Sequence, residues 1–154
     1  MKKLPENNRF GSELELLNIE TESDKKYVEI YGAVPAGFPS PAEDFLGDRI
    51  SLDERYLSKV ESTFVNRVKG LSMYPEYLED DIIIIRSDYT PMDGDDIVVS
   101  INASEYTLKR YRKQSNTLVA INPDYAKSVT IEENDEVIIL GVVDTIVREK
   151  KKRR

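Results

Sequence analysis

The fold is decided by residues 96–112, DIVVSINASEYTLKRYR, which contain two strand-like runs separated by a short polar break. Residues 96–101 and 105–112 carry the β-branched and aromatic residues that strands prefer, and residues 102–104 have the length of a hairpin connection. The same criteria predict four further strands, at residues 63–69, 81–86, 117–121 and 136–147. Six closely spaced strands predict a mostly β fold of curled, partly barrel-like antiparallel sheets.

Upstream of these strands the sequence predicts less regular structure. Ser51 and Glu54 have the spacing of a capping box, which predicts one short amphipathic helix beginning there. Alternation around Val28 and Ile30 predicts a short half-buried strand. Residues 1–26 are mostly polar, with one apolar cluster at Leu14, Leu16, Leu17 and Ile19. We interpret them as a flexible N-terminal arm, loosely ordered unless it docks.

Length and composition predict one domain with tails. The chain has 154 residues, of which 40% are hydrophobic, enough for a single core. No apolar run approaches the roughly 18 residues that a membrane-spanning helix needs, and the first residues lack a signal-peptide core. We therefore expect a soluble, cytoplasmic protein with no membrane partner.

The absence of cysteine and histidine removes most catalytic chemistry. The chain has 0 Cys and 0 His, which excludes disulfides, thiolate nucleophiles, thiolate metal sites and the commonest general base. Carboxylate chemistry remains, as do carboxylate-bound hard metals and a hydroxyl nucleophile paired with a lysine base. We expect neither a cofactor nor a metal.

Charge is distributed unevenly along the chain. The net charge is −7, although residues 148–154, REKKKRR, carry six basic residues and one acidic residue. The rest of the chain is therefore strongly acidic, which argues against nonspecific binding of duplex DNA through its surface. The basic tail is typical of a solvated terminus, and a contact with nucleic acid or an acidic partner is the alternative.

Two residues are candidates for the remaining chemistry. Ser72 lies in Gly70-Leu71-Ser72-Met73, where a predicted strand ends and a glycine permits a tight turn toward one cavity. Period-two alternation places Lys109 on the same strand face as Thr107. Taken singly, such a serine is typical of a turn cap, and such a lysine is typical of a solvated strand.

Three motifs in order change that interpretation. They are Ala36-Gly37, then Gly70-Leu71-Ser72-Met73, then Thr107-Leu108-Lys109-Arg110, with 35 residues from Gly37 to Ser72 and 37 from Ser72 to Lys109. In motif order and spacing the chain resembles the LexA/UmuD family of self-cleaving, peptidase S24-like proteins. The resemblance covers about residues 34–147 and implies the fold of that family's C-terminal domain.

The resemblance also implies a mechanism. Ser72 would be the nucleophile and Lys109 the general base, the bond between Ala36 and Gly37 would be cleaved, and the backbone N–H groups of Leu71 and Ser72 would bind the oxyanion. A lysine acts as a base only when its amine is uncharged, which burial without a carboxylate partner favours. Prolines at positions 35, 39 and 41 favour an extended conformation around the cleaved bond.

Within the family, residues 37–52 resemble the UmuD branch. That resemblance implies self-cleavage stimulated by a RecA filament on single-stranded DNA, which removes residues 1–36 as an arm. Residues 37–147 would then form the catalytic and dimerisation domain, followed by the basic tail at 148–154. The product would act as a homodimer with a UmuC-like Y-family polymerase in translesion synthesis during the SOS response.

Three alternatives remain open. A LexA-like or phage transcriptional regulator would need a helix-turn-helix domain of about 60 residues before the cleavage site, and only 36 precede it here. We therefore expect no sequence-specific DNA binding. A signal peptidase also uses a serine and a lysine, but it needs a membrane anchor. A binding module with an inactive serine-lysine pair is the third alternative.

Overall fold

The computed structural model describes residues 7–19, 28–31, 46–125 and 128–150. Its strands are β1 (Leu14–Leu17), β2 (Val28–Tyr31), β3 (Leu46–Ile50), β4 (Thr63–Val68), β5 (Ile82–Arg86), β6 (Asp96–Ile101), β7 (Thr107–Arg112), β8 (Thr117–Val119), β9 (Val129–Thr130) and β10 (Val137–Val147). One α-helix, α1, spans Leu52–Leu57, and 3-10 turns span Asn7–Phe10, Val60–Ser62 and Pro123–Tyr125. These elements belong to two compact units.

The first unit consists of residues 1–19 and 60–154 and is built on one curled sheet. Among its described residues the strand order is β1-β4-β5-β10-β6-β7-β8-β9, and every neighbouring pair is antiparallel. The long strand β10 lies in the middle, between β5 and β6. The predicted mostly β class with curled antiparallel sheets is therefore confirmed.

Both faces of this sheet bury apolar side chains. On β6, Val98 belongs to the larger core cluster, whereas Ile97 and Val99 belong to a smaller one on the opposite face. All three side chains are fully buried. Burial on both faces explains why the β6 sequence is a continuous run of apolar residues, without the alternation of apolar and polar residues found in half-buried strands.

Strand β10 bends where its register with its neighbours shifts. Its pairing with β6 shifts between Ile139 and Gly141, and its pairing with β5 shifts between Val143 and Thr145. A Cβ atom on Gly141 would lie 2.6 Å from the backbone oxygen of Arg86, so only glycine fits this close approach. Irregularities of this kind increase the local twist and curl the sheet.

Residues 9–17 contribute two side chains, Phe10 and Leu14, to the first unit's core. Phe10 and Leu14 are 1% and 2% exposed, and β1 pairs with β4 from Leu14 opposite Val68 to Leu17 opposite Val65. The sequence interpretation allowed for docking of the N-terminal arm, and this part of it is docked. We call residues 9–17 the docked segment.

The second unit consists of residues 20–59. Strands β2 and β3 form an antiparallel pair, and α1 follows β3. The Ser51 side chain accepts a hydrogen bond from the Glu54 backbone N–H at 3.5 Å, which confirms the predicted N-cap of the helix. The helix ends at Leu57, which confirms that it is short.

Candidate active site

The Ser72 side chain lies in the turn that follows β4. The chain leaves the sheet after Val68, and the Glu13 carbonyl accepts hydrogen bonds from the Lys69 and Gly70 N–H groups at 2.7 and 3.2 Å. Ser72 itself is only 5% exposed. The turn that carries the candidate nucleophile is therefore held against the docked segment.

Gly70 is required by close packing rather than by its backbone angles. Its φ lies outside the left-handed region, so the tight-turn reason predicted for this glycine does not apply. A Cβ atom at position 70 would lie 2.9 Å from Cγ and 3.3 Å from Cα of Glu13. The missing side chain lets the docked segment pass directly beside the turn.

Lys109 reaches Ser72 from the middle of β7. Its Nζ donates to Ser72 Oγ at 3.2 Å, to Thr107 Oγ1 at 2.9 Å and to the Leu108 carbonyl at 3.2 Å. The side chain is 16% exposed. The fold thus brings together two candidate residues 37 positions apart, and Thr107 shares a strand face with Lys109 as the alternation predicted.

A carboxylate that sequence reasoning missed also faces this lysine. Glu13 Oε2 lies 3.5 Å from Lys109 Nζ and accepts a hydrogen bond from the Thr107 hydroxyl at 2.6 Å. Burial without a carboxylate partner is the predicted condition for a neutral lysine, and Lys109 has a carboxylate partner in Glu13. Nothing in the sequence near Glu13 indicated this contact, because its segment has the composition of an arm.

Asn122 holds the other side of the Ser72 turn. Its Nδ2 donates to the Leu71 carbonyl and its backbone N–H donates to the Ser72 carbonyl, both at 2.9 Å. In a trans peptide the carbonyl and the following N–H point in opposite directions. By fixing the Leu71 carbonyl, Asn122 fixes the direction of the Ser72 N–H.

The predicted oxyanion donors, the N–H groups of Leu71 and Ser72, belong to this turn. In the described part of the chain, neither group donates a hydrogen bond to a protein atom. Ala36 and Gly37, the predicted cleavage site, lie outside the described residues.

A charged network fixes the residues after the turn. Tyr77 donates to Asp96 at 2.7 Å, and Arg110 bonds Asp96 at 2.8 Å and Glu76 at 3.1 Å. Burial and the Asp96 carboxylate raise the pKa of Tyr77, while its hydrogen bonds to Asp96 and Glu76 raise the pKa of Arg110. The hydrogen bond from Arg110 lowers the pKa of Glu76. This network ties the chain beyond Ser72 to β6 and β7.

The described residues contain neither a metal-binding cluster nor a membrane-spanning helix. Within them, no group of three or more acidic, histidine or cysteine side chains is arranged to hold a metal ion. No helix among them is long and apolar enough to cross a membrane.

Comparison with known proteins identifies the family. The family model described as peptidase S24-like matches residues 29–144, which is most of the chain and includes both Ser72 and Lys109. The chain belongs to the peptidase S24-like family. The family resemblance deduced from the three ordered motifs is therefore confirmed, and this family includes self-cleaving serine peptidases.

Relatives of this peptidase S24-like chain include protein SamA and LexA repressors. It is 33% identical to protein SamA of Salmonella typhimurium over 119 residues, which cover 76% of the chain and 81% of SamA. It is 30% identical to the LexA repressor of Thermotoga petrophila over 129 residues and 34% identical to that of Thermotoga neapolitana over 130 residues. Each of these alignments covers 83% of the chain and 65% of the repressor, so the chain matches just under two thirds of those relatives' length.

Proposed function

We propose that this peptidase S24-like chain cleaves its own backbone between Ala36 and Gly37. The observation that carries the proposal is the 3.2 Å hydrogen bond between Lys109 Nζ and Ser72 Oγ. Serine is a weak nucleophile until a base removes its proton, and a lysine within hydrogen-bond distance is such a base once it is neutral. In a chain without histidine, this pair supplies both roles.

The reaction proceeds in two stages. Neutral Lys109 takes the Ser72 hydroxyl proton while Ser72 Oγ bonds to the Ala36 carbonyl carbon. The tetrahedral intermediate collapses, the bond to the Gly37 nitrogen breaks, and the Lys109 ammonium returns the proton to that nitrogen. Water, deprotonated by Lys109, then hydrolyses the ester, which frees Ser72 and leaves a carboxylate on Ala36.

The oxyanion of the intermediate requires donors that are oriented in advance. We assign this role to the N–H groups of Leu71 and Ser72, supported by the contact of Asn122 with the Leu71 carbonyl at 2.9 Å. Thr107 holds Lys109 Nζ at 2.9 Å and keeps the amine directed toward Ser72. Substrate and enzyme are one chain, so conformation rather than encounter limits the rate.

In the cell, we assign the chain to the UmuD-like branch. Cleavage would be stimulated by a RecA filament on single-stranded DNA and would remove residues 1–36. The product, a homodimer, would assist a UmuC-like Y-family polymerase in translesion synthesis during the SOS response. Supporting this, the chain is 33% identical to SamA, a UmuD-like protein, and members of the LexA/UmuD family undergo RecA-stimulated cleavage and dimerise.

A LexA-like or phage transcriptional regulator is the second candidate function. The observation that favours it is the identity of 30 to 34% with LexA repressors over 83% of the chain. Co-purification with a Y-family polymerase supports the UmuD-like role. Specific binding to promoter DNA without polymerase binding supports the regulator.

Self-cleavage is tested by incubating the purified chain across neutral to alkaline pH and measuring fragment masses. We expect a first-order reaction that accelerates with pH and yields fragments ending at Ala36 and beginning at Gly37. Ser72→Ala and Lys109→Ala should stay intact, while Ser87→Ala, a serine exposed elsewhere on the first unit, should cut normally. An intact wild type at every pH, or a Ser72→Ala variant that cuts, contradicts the proposal.

A further inference from the structure

The docked segment covers the sheet edge beside the candidate nucleophile. Its β1 residues pair with β4, and just before β1 the Glu13 carbonyl accepts the N–H groups of Lys69 and Gly70. Glu13, Leu14, Gly70 and Ser72 line a cavity of about 10 Å³. The docked segment therefore packs closely against the turn that carries Ser72.

Buried anchors hold the docked segment in place. The Phe10 ring stacks on Tyr106 with 5.2 Å between ring centroids, and the Tyr106 N–H donates to the Arg9 carbonyl. The Arg9 guanidinium lies 4.9 Å from the Tyr106 ring centroid and donates to Ser100 Oγ at 3.0 Å. Apolar burial and directed polar contacts thus act together to fix the position of Glu13.

Glu13 places a negative charge at the amine that must be neutral for catalysis. Among the described residues, Lys109 Nζ contacts Ser72 Oγ, Thr107 Oγ1, the Leu108 carbonyl and Glu13 Oε2, and of these only Glu13 is an acidic side chain. Across the strand pair Lys109 faces the uncharged Ile97, and the nearest charged residues on β6 and β7, Asp96 and Arg110, bind each other.

We propose that Glu13 is an inhibitory residue of the serine-lysine site. Its carboxylate pairs with the Lys109 ammonium at 3.5 Å, and an ammonium cannot accept the Ser72 proton. Cleavage therefore requires the Glu13 carboxylate to release Lys109. The inference rests on the proposed self-cleavage and adds to it the identity of the group that restrains the reaction.

The substitution that isolates the charge is Glu13→Gln. Glutamine keeps the size of the side chain and an oxygen that accepts from Thr107, but it carries no charge. The matched control is Glu15→Gln, on the same segment, because Glu15 pairs with Arg67 and Lys69 rather than with Lys109. Thermal unfolding of both variants checks that the fold is retained.

A first measurement does not depend on cleavage. In the Ser72→Ala background, Lys109 is labelled with an amine-reactive reagent at pH 8 and the modified peptide is quantified by mass spectrometry. Only the neutral amine reacts, and an opposite charge within about 4 to 6 Å favours the charged form. We expect Glu13→Gln to raise Lys109 labelling by about tenfold and Glu15→Gln to leave it unchanged.

A second measurement follows the first-order cleavage rate from pH 6 to 11 with Ser72 intact. We expect Glu13→Gln to cut about tenfold faster than wild type near neutral pH, with the difference vanishing at high pH, where Lys109 is neutral in both. Glu15→Gln should follow the wild-type curve.

The outcomes separate the two proposals. If Glu13→Gln matches wild type in labelling and in cleavage, or cuts more slowly, the inhibitory role is wrong and self-cleavage stands. If no variant cuts at any pH while Glu13→Gln still labels faster at Lys109, the proposed self-cleavage is wrong and the charge contact stands. Raised labelling together with faster cleavage near neutral pH supports both.

Discussion

At the scale of single residues, Asn122 links two parts of the chain that are distant in sequence. It is 9% exposed, binds the carbonyls of Leu71 and Ser72, and its own Oδ1 accepts the Asp124 N–H at 3.0 Å. A hydrogen bond within its own 3-10 turn therefore positions the Asn122 side chain, and Asn122 positions the backbone around Ser72. This arrangement links the 3-10 turn at Pro123–Tyr125 to the turn that carries the proposed oxyanion donors.

The loss of this amide should slow cleavage without changing its pH dependence. We expect Asn122→Ala to reduce the cleavage rate by about 100-fold, in the range measured for loss of an oxyanion donor. The pH at half-maximal rate should stay at the wild-type value, because Asn122 does not contact Lys109. The measurement is the first-order rate of fragment formation against pH.

The matched control is Asn116→Gly. Asn116 also binds a backbone carbonyl, that of Ile131 at 3.1 Å, and glycine tolerates its φ of 50°. This variant should cut at the wild-type rate. An Asn122→Ala variant that also cuts at that rate would rule out the positioning role.

At the scale of elements, Arg148, which directly follows β10, binds Asp81, which directly precedes β5. Asp81, which is 2% exposed, accepts hydrogen bonds from Arg148 Nε at 2.7 Å and from the Leu78 N–H at 2.8 Å. Burial acts to raise the pKa of Asp81, but the hydrogen bonds from Arg148 and Leu78 outweigh it, and the net shift is downward. The folded state therefore favours the charged carboxylate.

This contact predicts a specific pH dependence of stability. Because the folded pKa is below the unfolded value of about 3.9, the contribution is fully present above pH 4 to 5 and disappears as the pH falls through the folded pKa. We expect Asp81→Asn to lower the free energy of unfolding at pH 7 by about 2 kcal/mol. The difference from wild type should shrink on acidification below about pH 4.

Urea unfolding at several pH values measures this difference. Asp144→Asn, an exposed carboxylate on the same strand, should change stability by less than about 0.5 kcal/mol throughout. A constant difference between wild type and Asp81→Asn from pH 7 to pH 3 would contradict the assignment.

The elements also show where sequence reasoning succeeds. Strand β6 was predicted with the bounds found in the structure, Asp96–Ile101, because its β-branched run is bounded by clear turn residues. Strands β4, β5, β7, β8 and β10 were predicted within about two residues of their ends. Strand β9 was missed because it has only two residues, Val129 and Thr130, and both are exposed. An alternation of apolar and polar residues cannot be detected over so short a stretch.

The candidate site was predictable only in part. The motifs identified Ser72 and Lys109, and the structure places them within hydrogen-bond distance. Glu13 was not predictable, because its contact depends on β1 pairing with a strand about 50 residues later in the chain. A four-residue strand in a polar segment is decided by tertiary packing, which a local sequence pattern does not contain.

At the scale of the whole molecule, the docked segment belongs to the part of the chain that the proposed cut separates. Phe10 and Leu14 are core residues, yet they precede Ala36 in sequence. Breaking the bond at Ala36 removes a covalent link but none of the contacts made by β1. We therefore expect fragment 1–36 to remain bound to fragment 37–154 after cleavage.

Size-exclusion chromatography of the cleaved protein under native conditions, followed by mass spectrometry, tests this expectation. Both fragments should elute together from wild type. Phe10→Ala should release the short fragment, since loss of a buried phenylalanine costs about 3 to 5 kcal/mol. Met92→Ala, which truncates a side chain that is 65% exposed, should retain it. Separate elution of the wild-type fragments would contradict the prediction.

The β4 edge has a further consequence once the chain is in two pieces. In the intact chain β1 is tethered, so its effective concentration at this edge is high. After the cut, the fraction of β4 edges that are occupied depends on the concentration of the free fragment. On dilution the fragment would leave unpaired backbone groups on β4 and an empty recess where Phe10 and Leu14 were buried. A foreign strand with apolar side chains at matching positions could then add to the sheet. A single irreversible cut would thereby turn a permanent internal contact into an exchangeable binding site whose occupancy depends on concentration.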